Sequence, residues 1–171
     1  MLSQNLSQSA RSRGIRRTVS VDGVAGVYFE YPAIEEGAET LVMIHGYRGN
    51  HRGLEAIAAG LSKYRVLIPD LPGFGESSPL RSEHSIQAYS DWLRGFLEEL
   101  GIQDRVHLMG HSFGSLVVGY YATKHSPKSV ALVNPVSIPA LEGPRAALTN
   151  LTKIYYLSLI HISEPTRLRR I

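Results

Sequence analysis

From about residue 18 the chain alternates short apolar or β-branched runs with amphipathic stretches. This pattern is typical of strand and helix units arranged around a largely parallel sheet. Residues 18–33 predict two antiparallel strands that turn at Asp22-Gly23, and four further apolar runs predict buried strands at 40–46, 64–71, 105–109 and 129–136. The pattern therefore predicts the α/β class, with a mostly parallel sheet and helices on both faces.

Helices are predicted between these strands. The strongest runs from Ser85, as N-cap, to Leu100, where Gly101 ends it. Its apolar residues recur on one face, which predicts packing against the sheet; they are Ile86, Tyr89, Trp92, Leu93, Phe96, Leu97 and Leu100. Shorter helices are predicted at 52–62 and 113–125.

Length and composition favour one globular domain. The chain has 171 residues, of which 43% are hydrophobic, and about 100–200 residues per domain is usual. The net charge of +3 comes from the two ends, because 1–17 and 157–171 are rich in arginine while the body has more acidic than basic side chains. A body with this balance offers no basic surface, so nucleic-acid binding is not expected.

The chain has no cysteine, which excludes disulfides, thiolate metal sites and a cysteine nucleophile. No window approaches the roughly 20 apolar residues that span a bilayer. The acid-free start lacks the apolar core of a signal peptide, so a disordered lead-in is favoured over a transit peptide. We therefore expect a cytoplasmic protein without a membrane span.

The first chemical motif lies where the strand at 105–109 gives way to the helix at 113–125. There Gly110-His111-Ser112-Phe113-Gly114 matches the pattern G-x-S-x-G. A strand directly before and a helix directly after would raise the Ser112 hydroxyl above the sheet on a tight turn. Glycine is needed at 110 and 114, because side chains there would collide where the backbone bends. A serine in an ordinary glycine-containing loop is the alternative.

A second motif, His45-Gly46-Tyr47-Arg48-Gly49, stands at the end of the strand at 40–46. Acyl transfer needs two backbone N–H groups aimed at the developing oxyanion, one just after the nucleophile and one after an earlier strand. Phe113 and Tyr47 are placed to supply them, and the helix that begins at Phe113 adds partial positive charge. His-Gly after a strand is also a common turn, so this motif alone does not indicate an oxyanion site. Together with the serine motif it does.

Over about residues 21–140 the sequence resembles the α/β-hydrolase superfamily, of the esterase, lipase and C–C hydrolase type with a helical cap. The matching segments are HGYRG, IPDLPGFGESS, GHSFGS and ALVNPV. The resemblance implies that the serine attacks a carbonyl, a histidine accepts its proton and an aspartate orients that histidine, without metal or cofactor. It also implies a structural role for Asp70. Serine at 112 argues against haloalkane dehalogenase and epoxide hydrolase activity, which need a carboxylate there.

In this superfamily the acid and the histidine follow the serine along the chain, and neither is identifiable here. Asp91 and Asp104 precede Ser112, and His161 follows it without a strand before it. Five other histidines occupy positions unsuited to the base: His45, His84, His107, His111 and His125. The sequence therefore predicts a sheet that is incomplete at its C-terminal edge and a chain that is inactive in this form.

The expected organisation is a lead-in at 1–17, an N-terminal hydrolase core at 18–137, the start of a cap at 138–156 and a non-native tail at 157–171. The tail, LSLIHISEPTRLRRI, resembles reading frames that run into sequencing or assembly sequence; a genuine short protein with a basic tail is the alternative. The expected activity is hydrolysis of a small-molecule ester, thioester, amide or activated C–C bond through acyl-Ser112. The alternative is a non-catalytic binding protein of the same fold.

Overall fold

The computed structural model describes residues 14–136, which lie in one compact unit that runs to Val136. The expectations for residues 1–13, for the cap and for the tail, including His161, lie outside the described residues. The elements within this range are β1 (Ile15–Val21), β2 (Val24–Tyr31), β3 (Thr40–Ile44), a 3-10 turn (His51–Gly53), α1 (Glu55–Gly60), β4 (Arg65–Pro69), α2 (Ile86–Glu99), β5 (Val106–His111), α3 (Phe113–Ala122) and β6 (Ser129–Val133).

The strands form one sheet in the order β1-β2-β4-β3-β5-β6. β1 and β2 are an antiparallel hairpin, and its turn residues Asp22 and Gly23 have φ values of 50° and 75°. Two positive φ angles are the type I′ geometry that matches the twist of the flanking strands. β2 is antiparallel to β4, whereas β4, β3, β5 and β6 run parallel. The predicted fold class, α/β with a mostly parallel sheet, is confirmed.

β1 begins at Ile15, so the boundary predicted at residue 18 is three residues too late. The first residues of the strand are held by ion pairs as well as by the ladder to β2. Arg16 Nε lies 2.7 Å from Glu76 Oε2, and Arg17 Nε lies 3.1 Å from Glu30 Oε2. Charged side chains on an exposed strand give no apolar signal, which is why the pattern missed this start.

Alternate side chains of the central strands face two separate cores. Val42 and Ile44 of β3 pack on the side covered by α2 and α3, while Met43 packs on the side covered by Leu54 and Ala58 around α1. All three β3 side chains are completely buried, and each such side chain stabilises the fold by roughly 1.5–3 kcal/mol. The carboxyl ends of β3, β4 and β5 lead directly into His45, Asp70 and Ser112.

α2 forms as the sequence predicts. The Oγ of Ser85 accepts a hydrogen bond from the N–H of Ala88 at 3.1 Å, and Leu100 is the C-cap. The cap satisfies one of the free N–H groups of the first turn, a contribution of about 1 kcal/mol. Its buried face includes Tyr89, which lies near the carboxyl end of β5. None of the helices in the described range has the length and apolar character needed to cross a membrane.

Candidate active site

Ser112 joins the end of β5 to the start of α3. Its backbone has φ 52° and ψ −116°, a conformation that non-glycine residues rarely adopt and that costs of order 1–3 kcal/mol. The Ser112 N–H donates to the carbonyl of Val133 at 3.0 Å, and its own carbonyl accepts from Ser115 N–H at 2.9 Å and from Ser115 Oγ at 2.5 Å. The Ser112 side chain makes no capping bond to α3, so its hydroxyl is free of that role.

Three glycines make this close packing possible. A Cβ on Gly110 would lie 2.6 Å from the carbonyl carbon of Gly114, inside the first turn of α3. A Cβ on Gly114 would lie 2.7 Å from the carbonyl oxygen of His45, and one on Gly46 would lie 3.3 Å from the Cβ of Ser112. The loop after β3 and the turn at Ser112 therefore contact each other directly.

His45 fastens the loop after β3 to the loop after β4. Its ring is 2% exposed. The N–H of Leu71 donates to Nε2 at 2.9 Å, so Nε2 carries no proton, and Nδ1–H donates to the Gly46 carbonyl at 2.8 Å. Burial lowers the pKa of His45, although the bond to Gly46 and the charge of Asp70 act to raise it. A neutral His45 ring with both nitrogens hydrogen-bonded holds the two loops together and is not available to accept a proton.

The two predicted oxyanion donors lie on the segments that meet at Ser112. The loop that carries Tyr47 is closed by a bond from Gly49 N–H to the Gly46 carbonyl at 3.0 Å. Among residues 14–136, the backbone N–H groups of Tyr47 and Phe113 donate to no other group. The first N–H groups of a helix have no partner within it, so that of Phe113 is open to a ligand. Both N–H groups lie beside the strained serine and are available to an acceptor from outside the described residues.

Four aromatic rings from four different segments surround the same end of the sheet: Tyr47, Phe74, Tyr89 and Phe113. We call them the aromatic quartet. Their centroids form a closed circuit, with 5.7 Å from Tyr47 to Phe74, 6.3 Å to Tyr89, 5.4 Å to Phe113 and 6.0 Å back to Tyr47. These separations lie in the favourable range of about 4.5–7 Å. Tyr47 is 68% exposed and Tyr89 only 4%, so the quartet extends from the surface into the core.

Asp70 is fully buried in contacts of a structural kind. Its Oδ1 accepts from His51 N–H at 2.7 Å and from His51 Nδ1 at 3.0 Å, and its Oδ2 accepts from Glu76 N–H at 2.9 Å. Burial acts to raise the pKa of Asp70, but these hydrogen bonds outweigh it and hold the pKa below its usual value. The His51 ring stacks on Phe29 at 3.4 Å and its Nε2 lies 4.0 Å from Glu55. The sequence did not predict this buried set.

Three further described histidines, His84, His107 and His125, each contact a neighbour other than Ser112. These contacts are His84 Nδ1 to Tyr89 Oη at 2.6 Å, His107 to Ser129 Oγ at 2.7 Å and to Glu39 Oε2 at 3.0 Å, and His125 stacked on Tyr121 at 4.5 Å. His111 precedes Ser112 directly and lies beside Gly46. Within residues 14–136 there is no group of three or more His, Asp or Glu residues that could hold a metal ion.

Comparisons with known proteins identify the family. Residues 39–156 match the family model of the alpha/beta hydrolase fold. Lipase 1 of Psychrobacter immobilis is 39% identical over 93 residues, which cover 54% of this chain and 29% of that protein. The 2-hydroxy-6-oxononadienedioate/2-hydroxy-6-oxononatrienedioate hydrolase 2 of Pseudomonas putida is 34% identical over 140 residues, which cover 77% of this chain and 43% of that protein.

The same similarity is found in three dimensions. The crystal structure of a membrane phospholipase A, described as a bacterial virulence factor, has a TM-score of 0.69 at 26% identity and covers 88% of this chain and 51% of its own. The chain thus spans less than half the length of the two curated relatives and about half of this structure. With a family model that matches more than half of its residues, the chain belongs to the alpha/beta hydrolase fold family, and the relatives named here are hydrolases.

Proposed function

We propose that this protein is a serine hydrolase in which Ser112 attacks a carbonyl carbon and forms an acyl-Ser112 intermediate. Its substrate class is a small ester, thioester, amide or activated C–C bond next to a carbonyl. The observation that carries the proposal is the strained Ser112 beside the N–H groups of Tyr47 and Phe113, which donate to no acceptor within residues 14–136. A protein that only binds ligands has no need to hold a serine in this conformation.

The chemistry follows from where charge develops. As Ser112 Oγ bonds to the carbonyl carbon, negative charge builds on the carbonyl oxygen, which then accepts hydrogen bonds from Tyr47 N–H and Phe113 N–H. The N-terminal end of α3 adds partial positive charge at the same point. The Ser112 proton passes through a general base to the leaving group, which the tetrahedral intermediate then expels, and water releases the acyl group from Ser112. Loss of one such donor costs about 10²- to 10³-fold in turnover.

We propose further that the base and its acid partner lie outside the described residues. In related folds both follow the serine along the chain. Within the described range His45 and Asp70 are already engaged, because both nitrogens of His45 and both carboxylate oxygens of Asp70 have hydrogen-bond partners. The complete source reading frame is therefore the protein on which activity is to be tested.

Two kinds of relative support the substrate class. One is named a lipase and the other a 2-hydroxy-6-oxononadienedioate hydrolase. Tyr47 is exposed, and the guanidinium carbon of the adjacent Arg48 lies 6.0 Å from its ring centroid. An aromatic ring with one nearby cation is compatible with an apolar substrate or with one that carries a carboxylate.

Turnover measures the proposal directly. We predict that the protein from the complete source reading frame hydrolyses p-nitrophenyl esters and that Ser112→Ala lowers kcat by about 10⁶-fold, because the nucleophile is lost. Ser82→Ala, an exposed serine in a loop, is the matched control and keeps the wild-type rate. Equal rates for Ser112→Ala and wild type would contradict the proposal.

The second candidate is a binding protein that has kept the fold. It is favoured by one observation, that no histidine in residues 14–136 is hydrogen-bonded to Ser112. A well-folded complete protein that turns over no ester and reacts with no serine-directed reagent would decide for this candidate.

A further inference from the structure

We propose that Tyr89 is a positioning residue that sets the spacing of the two oxyanion donors, Tyr47 N–H and Phe113 N–H, from a helix that supplies neither of them. This inference deepens the proposed function and rests on it. The Tyr89 side chain is buried on α2 and contributes to catalysis indirectly, through its contacts with the aromatic quartet and with the loop after β4.

Tyr89 is a fixed point at this end of the sheet. Its ring is 4% exposed, and it lies one turn after the N-cap of α2. Its hydroxyl donates to the Pro72 carbonyl at 3.2 Å. A phenol has one proton, so the 2.6 Å contact with His84 Nδ1 has the imidazole donating to the phenol oxygen. Burial raises the pKa of Tyr89, and the nearby Tyr47 adds to this effect, so the hydroxyl keeps the proton it donates.

The first route from Tyr89 to the donors runs through ring contacts. The Tyr89 ring meets Phe113 edge-on, with centroids 5.4 Å apart and planes at 86°. Phe113 is itself one of the two proposed donor residues, so a contact with its side chain bears on the position of its own N–H group. On the other side Tyr89 contacts Phe74, and Phe74 contacts Tyr47, the second donor residue.

The second route runs through hydrogen bonds. Pro72, which accepts from the Tyr89 hydroxyl, follows Leu71, whose N–H donates to His45 Nε2. His45 Nδ1–H in turn donates to the carbonyl of Gly46, the residue before Tyr47. Tyr89 therefore acts on the Tyr47 donor twice, through rings and through the braced loops, and on the Phe113 donor directly.

Such a role has a kinetic signature. Oxyanion donors act mainly in the transition state, so a loosened pair lowers kcat and leaves KM nearly unchanged. A misplacement of about 1 Å costs on the order of 10²-fold. A side chain that only stabilised the fold would instead lower the folded fraction and leave the rate of each folded molecule unchanged.

The test compares two variants of Tyr89 in the protein from the complete source reading frame. Tyr89→Phe keeps the ring and removes the hydroxyl bonds to Pro72 and His84, and Tyr89→Leu removes both routes. The matched control is Tyr121→Phe, because Tyr121 is 2% exposed in the same core but stacks on His125 and not on the quartet. Rates are measured per active site, counted by titration with a serine-directed phosphonate, and folding is checked by circular dichroism.

We expect kcat to fall about 10-fold in Tyr89→Phe and about 100-fold in Tyr89→Leu, in line with the cost of a displaced catalytic group. KM and the Tyr121→Phe rate stay within about twofold. The affinity for a boronic acid, which forms a tetrahedral adduct with an oxyanion, falls by the same factor as kcat. If Tyr89→Leu does not fold, Tyr89→Phe decides.

Wild-type kcat in folded Tyr89→Phe, a change in KM alone, or an equal loss in Tyr121→Phe would overturn the inference while ester turnover by Ser112 stands. A wild-type protein that neither turns over esters nor reacts at Ser112 would remove the proposed function, and this inference with it. The two failures are therefore distinguishable.

Discussion

Ser112 concentrates backbone strain and chemistry in one residue. Its positive φ is maintained by bonds to two different elements, to Val133 in β6 and to Ser115 in α3. Strain of this kind persists only where the surroundings determine the conformation fully. Gly110 and Gly114 contribute to this, because they allow the turn at Ser112, the first turn of α3 and the end of β3 to lie close together.

Gly114 gives a stability test of this packing. We predict that Gly114→Ala lowers the free energy of unfolding of the 171-residue chain by about 3 kcal/mol, because its Cβ would press on the carbonyls of Ile44 and His45. Gly119→Ala, in the same helix with open space around it, should stabilise the chain by up to about 1 kcal/mol. Urea denaturation measures both, and similar values for the two variants would contradict the packing described.

Asp70 gives a pH test. Its pKa in the folded state lies below its usual value near 3.8, so it stabilises the fold above that pH. This contribution is lost as the pH falls through the lowered pKa. We predict that Asp70→Asn costs about 3 kcal/mol at pH 7, because His51 and Glu76 lose a charged acceptor, and that the difference from wild type shrinks below about pH 4. Asp91→Asn, an exposed control, should stay within about 0.5 kcal/mol of wild type. A constant difference between Asp70→Asn and wild type from pH 7 to pH 3 would contradict this account.

At the scale of elements, β6 is an edge of the described sheet. Within residues 14–136 it pairs with β5 alone, and its Val130 and Leu132 are 39% and 45% exposed. Unpaired edges with apolar side chains promote association with other chains. The exposure of this strand agrees with the incomplete C-terminal edge that the sequence predicts.

We predict that Leu132→Lys reduces aggregation of the 171-residue chain, because a charge on the edge opposes pairing with other chains. Ile57→Lys is the control, since Ile57 on α1 is 40% exposed but lies away from the edge. Light scattering at matched concentration is the measurement. An equal reduction by both variants would mean that general charge, and not the β6 edge, is responsible.

The helices and strands were predictable where the apolar pattern is strong. They were less predictable where polar side chains determine where an element begins or what it contacts. The sequence predicts α2 correctly from Ser85 to Leu100, because one periodic face and two end signals agree. It predicts a requirement for glycine at 114 from the turn alone, whereas the nearest atoms to a Cβ there belong to Ile44 and His45 at the end of β3. Contacts between distant segments have no local signal.

The contacts of His51 and Tyr89 illustrate that limit. His51 meets Asp70 only because the turn after β3 crosses the carboxyl end of β4. Tyr89 was predicted as one apolar position of a helix face, which is correct, but its hydroxyl bond to Pro72 depends on the path of a loop. Neither contact follows from spacing along the chain.

At the scale of the whole molecule, the sheet carries its helices on two faces and gathers the candidate chemistry at one end. The loops after β3 and β4, the start of α2 and the turn at Ser112 meet there through His45 and the aromatic quartet.

The most direct test of the central claim, that Ser112 is a catalytic nucleophile, is to react the protein from the complete source reading frame with a fluorophosphonate and to locate the adduct by peptide mass spectrometry. The account predicts one adduct, on the peptide that contains Ser112, and none in Ser112→Ala. A folded protein that stays unmodified, or an adduct that persists in Ser112→Ala, would contradict it.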